Sequence, residues 1–228
     1  MKTAIVIGAT GLIGEKLCEA LANCQEYTQV LAVVRSPRVW KNSKIKNILF
    51  DFSNWKHLEN QLKGFISSDT SDGFCALGTT IAKAKTKEAF KEVDLHAVVH
   101  FAKTLNSLSS QKLFVVSAMG ANKKSEVFYN QVKGEMEESV KSIFTGNSIF
   151  LRPSLLLGSR KEFRLAEKIA VMLAPLYSFI FIGPFLKWRP IRVDQIIHAL
   201  VYLASVEKNL KPIYLNDDLI NIKNLESF

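Results

Sequence analysis

The stretch from Thr3 to Gly14, TAIVIGATGLIG, constrains this chain more than any other. Thr3, Ala4, Ile5, Val6 and Ile7 form an unbroken apolar or β-branched run that leads straight into Gly8, Gly11 and Gly14, spaced G-x-x-G-x-x-G. Behind the glycines, Leu17, Leu21 and Ala22 recur at helical spacing. A buried strand, a tight turn and a helix, in that order, have a physical use. Gly8 lets the chain turn sharply out of the strand. Gly11 leaves bare backbone for an anion to approach, and Gly14 lets the helix pack close to the strand. The free N–H groups and positive end of the helix then face a pyrophosphate. Thr10, Leu12 and Ile13 fill the same turn, so the candidate cofactor-contacting set opens with Gly8, Thr10, Gly11, Leu12, Ile13 and Gly14.

Further strands are predicted at residues 30–34, 47–50, 73–77, 113–116 and 148–151, with a short late one at 211–215. Helical patterns fall between or after them, at 54–62, 89–105, 127–144, 161–174 and 195–204, the last with Asp194 as its N-cap. Alternating strands and helices of this length predict an α/β fold, a doubly wound parallel sheet of Rossmann type. No repeat or linker divides the 228 residues, so they read as one domain, 1–228. Residues from about 153 onward are expected to contribute a small C-terminal lobe over the cofactor.

Ligands of such sheets lie at the carboxyl ends of the strands, which makes the residues at those ends candidates. Arg35 and Arg38 follow the second strand, about 20 residues past the glycines, where an NAD-binding chain places an acid on the ribose 2′-hydroxyl. Guanidinium groups suit a 2′-phosphate instead, so NADP(H) is the expected cofactor and NAD(H) the second choice; the plain alternative is two surface arginines. Asp51 at the third strand end either accepts from an adenine amino group or caps the following helix. Gly78, Thr79 and Thr80 at the fourth either meet phosphate and ribose or form a capped turn. Arg152 and Pro153 at the sixth join the cofactor candidates, as do Tyr129 and Lys133 further on.

The net charge of +9 favours anionic partners: a phosphorylated cofactor, a membrane surface or a nucleic acid. The lysines are scattered as on a solvated face, and no nucleic-acid module is recognisable, so no nucleic-acid partner is expected. The nearly wholly apolar run 169–185 is short for a membrane span of about 20 residues and carries Pro175 and Gly183-Pro184. A covered lobe is the preferred reading there, an interfacial membrane contact the sharper one. Cys18, Cys24 and Cys75 show no metal spacing and read as free thiols in a reducing compartment. The chain opens directly on its first strand with no room for a signal peptide, so a cytoplasmic location is expected. His96 and His100 stand at i and i+4 with no third ligand, so no metal site is expected.

Ser117 ends the fifth strand. Tyr129 and Lys133, four apart, share one face of the next helix, and that face can look back at Ser117. With the three glycines, Ser117 and Tyr129-x-x-x-Lys133, the chain resembles the short-chain dehydrogenase/reductase superfamily. It looks closest to the atypical branch of Tat-interacting and NmrA-like NAD(P)H-binding proteins, through Ala76-Leu77-Gly78-Thr79-Thr80, the run Val116 to Ala121, and Arg189-Pro190-Ile191. The resemblance implies that Tyr129 exchanges a proton with the substrate oxygen. It implies that Lys133 binds the nicotinamide ribose and lowers the tyrosine pKa, and that Ser117 holds the substrate carbonyl. A free tyrosine titrates near about 10, so a neighbouring cation would be needed to ionise it near neutrality. The asparagine that completes a tetrad in many members has only Asn106 as its counterpart by position. The expected function is an NADPH-dependent oxidoreductase reducing a carbonyl or related small molecule. The alternative is an NADP(H)-binding redox sensor or interaction protein with little turnover. Oligomeric state is not written in these residues.

Overall fold

A computed structural model describes residues 2–66, 70–157 and 189–222. Strand β1 (Lys2–Ile7) enters α1 (Leu12–Asn23); then come β2 (Tyr27–Val34), β3 (Ile45–Leu49), α2 (Trp55–Lys63) and β4 (Thr70–Cys75). Two short helices follow, α3 (Ile81–Ala84) and α4 (Lys87–Lys91). Helix α4 runs through a π-helical turn, Glu92–His96, into α5 (Ala97–Ser107). The rest is β5 (Lys112–Val116), α6 (Phe128–Ile143), β6 (Asn147–Arg152), β7 (Leu156–Leu157), β8 (Ile191–Arg192), α7 (Val193–Ser205), β9 (Ile213–Leu215) and α8 (Asn216–Asn221).

Seven strands form one sheet in the order β3-β2-β1-β4-β5-β6-β9, every neighbouring pair parallel. Parallel pairing requires crossovers, and helices on both faces supply them except between β2 and β3, which residues 35–44 join without one. The side-chain period of two sends Ala4 and Val6 to one face, where they join Leu17, Leu21, Ile196 and Leu200 of α1 and α7. Ile5 and Ile7 go to the other, against Leu58, Phe101, Val132 and Met136 of α2, α5 and α6. The strands are apolar on both faces because both faces are covered. The chain runs outward from β1 to β3, then returns to place β4 on the other side of β1, so the order reverses between β1 and β4. That reversal opens a crevice at the strand exits, where doubly wound sheets bind ligands.

Residues 189–222 fall in the range expected to contribute a small lobe, and two of their elements join the main body. Strand β9 extends the sheet beside β6, and α7 packs on the α1 face. The helical patterns expected at 161–174 and the apolar run 169–185 lie outside the described residues. Among the described residues no helix is long and apolar enough to cross a membrane. Two local details differ from expectation. The helix expected over 89–105 contains the π turn. Asp194 lies inside the first turn of α7, where its carboxylate pairs with Lys16 at 2.6 Å, and Arg192 occupies the N-cap.

Candidate active site

The Gly-rich turn forms one wall of the crevice. Gly8 has φ of +79°, in the left-handed region, and a Cβ there would stand 2.6 Å from the Ala76 backbone. A Cβ on Gly14 would lie 2.2 Å from the Gly8 carbonyl oxygen. Backbone cannot yield as a flexible side chain does, so α1 approaches the β1 exit only because residue 14 is glycine. Gly14→Ala is therefore expected to lower stability by about 1–3 kcal/mol, the usual cost of overpacking. An unchanged denaturation midpoint in urea would refute that close approach. At the mouth of the turn, Gly11 N-caps α1 without a side-chain cap, whereas Asn54, Thr80 and Thr86 cap α2, α3 and α4 through their side chains. The first-turn N–H groups of α1, between Thr10 and Ile13, thus have no capping side chain claiming them. This suits a dinucleotide pyrophosphate.

The other strand-end candidates separate. Arg35 is exposed at the β2 exit. Arg38 donates from Nη2 to Glu15 Oε2 at 2.8 Å, and the Asn47 side chain holds its backbone N–H and carbonyl. Asp51 accepts from the Ser53 hydroxyl at 2.6 Å and from its N–H at 2.9 Å, which holds the exposed carboxyl below its usual range. The cap of α2 belongs to Asn54, whose side chain accepts from the His57 N–H at 3.0 Å. Thr80 caps α3, while the Thr79 N–H donates to Asp94 Oδ2 at 2.9 Å beside Gly78. At the β6 exit the Pro153 carbonyl accepts from the Met119 N–H at 2.9 Å, tying the loops after β5 and β6 together.

Two of the candidate catalytic residues sit on α6. Tyr129 and Lys133 fall one turn apart, Tyr129 half-buried with its ring centroid 5.6 Å from that of Phe90. A Cβ on Gly134 would lie 2.1 Å from the Lys123 nitrogen, so this glycine lets α6 press against the loop after β5. Lys133 is 3% exposed, and its Nζ stands 2.7 Å from Oδ1 of Asp94, itself 1% exposed on the π turn. Asp94 and Tyr129 hold the buried lysine's pKa above its ordinary value against the downward pull of burial. The Tyr129 phenol is also held above its ordinary value. Burial raises it, Lys133 pulls it down and Asp94 pushes it up. The depression that the resemblance implied for this tyrosine is therefore outweighed.

One turn further along α6, Glu137 takes Ser117. The Ser117 hydroxyl donates to Glu137 Oε1 at 2.5 Å, while Arg152 binds the same carboxylate through Nε at 3.0 Å and Nη2 at 2.6 Å. A hydroxyl has one proton to give, and here it goes to Glu137. A cavity of about 270 Å³ opens beside Glu137 and Arg152, and neither Tyr129 nor Lys133 lines it. Asn106 is remote from all of this. Its side chain accepts from the Thr145 N–H at 2.9 Å and hydroxyl at 2.7 Å. It lies at the last turn of α5, beside Thr145 just before β6, at the entry end of the strands rather than their exits. Asp94, near the other end of the same helical rod, stands beside Lys133 instead. His100 stacks on Trp55 with centroids 5.3 Å apart, and no metal-holding group of His, Cys, Asp and Glu occurs among the described residues. Burial pushes the Cys75 thiol up to about 12.

Sequence reasoning missed Asp94 and Glu137. The signal was available. Asp94 follows Phe90 by four in a stripe continued by Val98 and Phe101, and Glu137 lies between Met136 and Val140. A carboxylate on the apolar face of its own helix needs a buried partner.

The sequence model of the NAD dependent epimerase/dehydratase family matches residues 4–120, just over half of the chain. The chain belongs to this family. Its fold is the NAD(P)-binding Rossmann arrangement of the short-chain dehydrogenase/reductase type, as the resemblance implied. Among solved structures of that fold, the UDP-glucuronic acid 4-epimerase from Bacillus cereus in complex with NAD superposes with a TM-score of 0.65. The match covers 99% of this chain and 82% of that one at 15% identity, so the likeness concerns the fold alone. Two curated relatives are closer in sequence. "Protein FMP52, mitochondrial" of Debaryomyces hansenii is 29% identical over 89% of this chain and 88% of its own. The Candida albicans protein of the same name is 32% identical over 70% and 69%. These names overturn the cytoplasmic expectation. Free thiols speak for reducing surroundings, which the cytoplasm shares with other compartments, so cysteine usage could not fix the location.

Proposed function

We propose that this epimerase/dehydratase-family chain is an NADPH-dependent oxidoreductase that reduces a carbonyl of a small molecule at mitochondria. The observation that carries the reading is half-buried Tyr129 one turn from buried Lys133, whose charge acts on Cys75 at the end of β4. The turn from Gly8 to Gly14 would hold the pyrophosphate and the strand exits the rest of the cofactor, with Asp51 at the adenine end and Lys133 at the nicotinamide ribose. When bound, the nicotinamide supplies the hydride. Tyr129 supplies the proton to the developing alkoxide, and its raised pKa keeps that proton in place at neutral pH. Ser117, hydrogen-bonded to Glu137, positions the loop after β5 and reaches the substrate only if it turns away from that carboxylate. A panel of carbonyl compounds, assayed by loss of NADPH absorbance, tests the reading. Absence of turnover across the panel with tight cofactor binding would overturn it.

Preference for NADPH over NADH is supported by exposed Arg35 at the β2 exit and by the absence of an acid there. Arg38 is already paired with Glu15, so Arg35 carries the larger share. NADPH is expected to bind about tenfold more tightly than NADH, the worth of one charge-assisted pair, and Arg35→Ala to remove most of that margin. Calorimetric titration of both cofactors decides it, and equal affinities would refute the assignment. A second reading, an NADP(H)-binding sensor with little turnover, is favoured by one observation: the Ser117 proton goes to Glu137 rather than towards Tyr129. The location at mitochondria is supported by the printed names of the curated relatives.

A further inference from the structure

The buried carboxylate on the π turn reaches two different elements. Asp94 Oδ1 stands 2.7 Å from Lys133 Nζ on α6, and Oδ2 accepts from the Thr79 N–H at 2.9 Å in the loop leaving β4. A buried ion pair is a poor device for stability alone, since desolvating two charges offsets most of their attraction. The placement is more specific than packing requires. Thr79 belongs to the exit of β4, beside the crevice, and Lys133 is the cation next to Tyr129. One side chain on a third element thus ties the loop leaving β4 to α6, the helix that carries Tyr129.

Among the described residues the charges around Tyr129 are few. Its own helix contributes Lys133, and the π turn contributes Asp94. From α4 it meets the apolar ring of Phe90. Lys87 of that helix lies over the Phe128 ring at 5.2 Å, and Lys91 pairs with Glu135 at 3.8 Å. Strand β4 brings Cys75 towards Lys133 and Asp94, with its thiol pushed up to about 12. A cation with its counter-ion in contact acts at a distance as a dipole, so its pull on a third group is much reduced. Lys133 meets the tyrosine in that condition.

We infer that Asp94 is a positioning residue of the site: it holds Lys133 and the Thr79 turn together, and by offsetting the lysine's charge it keeps Tyr129 in the protonated form that gives a proton in reduction. The inference rests on the proposed reductase reading and deepens it, because carbonyl reduction starts from the protonated tyrosine, which regains its proton before the next turnover, whereas alcohol oxidation starts from the ionised one. The direction of the Tyr129 shift agrees, with burial and Asp94 together outweighing Lys133.

The test needs no substrate. The full chain, labelled with 13C at tyrosine Cζ, is titrated by NMR, and Tyr129→Phe identifies the Tyr129 signal among the 5 tyrosines. The wild-type signal is expected to titrate above about 10, the ordinary value. Asp94→Asn, which keeps the shape and removes the charge, is expected to move the midpoint down by about one pH unit or more, a tenfold change in proton affinity. Asp94→Glu, which keeps the charge, is expected to recover most of that shift. A wild-type midpoint below about 10 overturns the inference even if Asp94→Asn fails to fold. An Asp94→Asn protein that melts earlier but titrates as the wild type also overturns it, leaving Asp94 a structural role only. Neither result depends on turnover, so failure here is distinct from failure of the reductase reading.

Discussion

Tyr129→Phe is expected to lower turnover by about 10²–10⁴-fold, the usual contribution of a positioned acid, while leaving cofactor affinity within about twofold. The substitution keeps the ring that packs on Phe90 and removes only the hydroxyl. Because the cofactor contacts assigned to the Gly-rich turn and the strand exits are untouched, the loss should fall on kcat rather than on binding. The pH profile carries a sign as well. A phenol held above its ordinary value stays protonated through neutrality, so the reducing rate of the wild type should hold there and fall only as the phenol ionises on the alkaline side. The check is steady-state kinetics on the first substrate found by the carbonyl panel, with calorimetry for the cofactor. Near-wild-type turnover would reduce Tyr129 to a helix residue and remove the catalytic reading, with the fold unaffected.

Lys133→Met is expected to have the largest effect on stability. Removing one partner of a buried ion pair leaves the other charge uncompensated, at a cost of about 3–5 kcal/mol. For a chain of this size that corresponds to a melting temperature lower by on the order of 10 °C. Cofactor affinity and rate should fall together, because the same side chain is assigned to the ribose. The double variant Asp94→Leu/Lys133→Met separates the causes. With both charges gone, most of the pair-breaking cost disappears. The Thr79 N–H then loses its acceptor, which costs about 1–3 kcal/mol. The double variant should therefore lie between the wild type and Lys133→Met in chemical denaturation. A double variant no more stable than the single one would mean that the lysine stabilises by its alkyl packing and not by its charge.

The order of strands and helices was legible because each layer leaves its own mark. Strands covered on both faces read as unbroken apolar runs, as in Val30 to Val34, and helices as stripes, as in Leu17 and Leu21. The glycines were legible because a sharp turn and a close helix approach admit no other residue, which Gly8 and Gly14 show in the contacts a Cβ would make. That Tyr129 and Lys133 share one helix was legible because four residues is about one helical turn. What lay beyond reach was pairing between distant segments. Nothing local ties Arg38 to Glu15, Ser117 to Glu137 or Lys133 to Asp94; only the folded sheet brings them together. Asn106 was the counterpart by position, and the direction of α5 carries it to the entry end of the strands. Location in the cell was illegible for another reason: a core packs the same way in any reducing compartment.

The turn from Glu92 to His96 makes this site sensitive to chain length as well as to chemistry. Each residue of a regular helix advances the chain by about 100°, and a π turn absorbs one residue more than a regular turn does. Phe90 and Asp94 can therefore face α6 while Phe101 and Leu105, beyond the turn, still face the sheet. Exchanging exposed Glu92 for another residue leaves that phase intact. Losing it would rotate the first half of the rod by roughly a quarter of a circle against the second. Either the carboxylate would swing off its lysine or Phe101 and Leu105 would leave the core. Over generations such a segment can accept many spellings but only one count of letters.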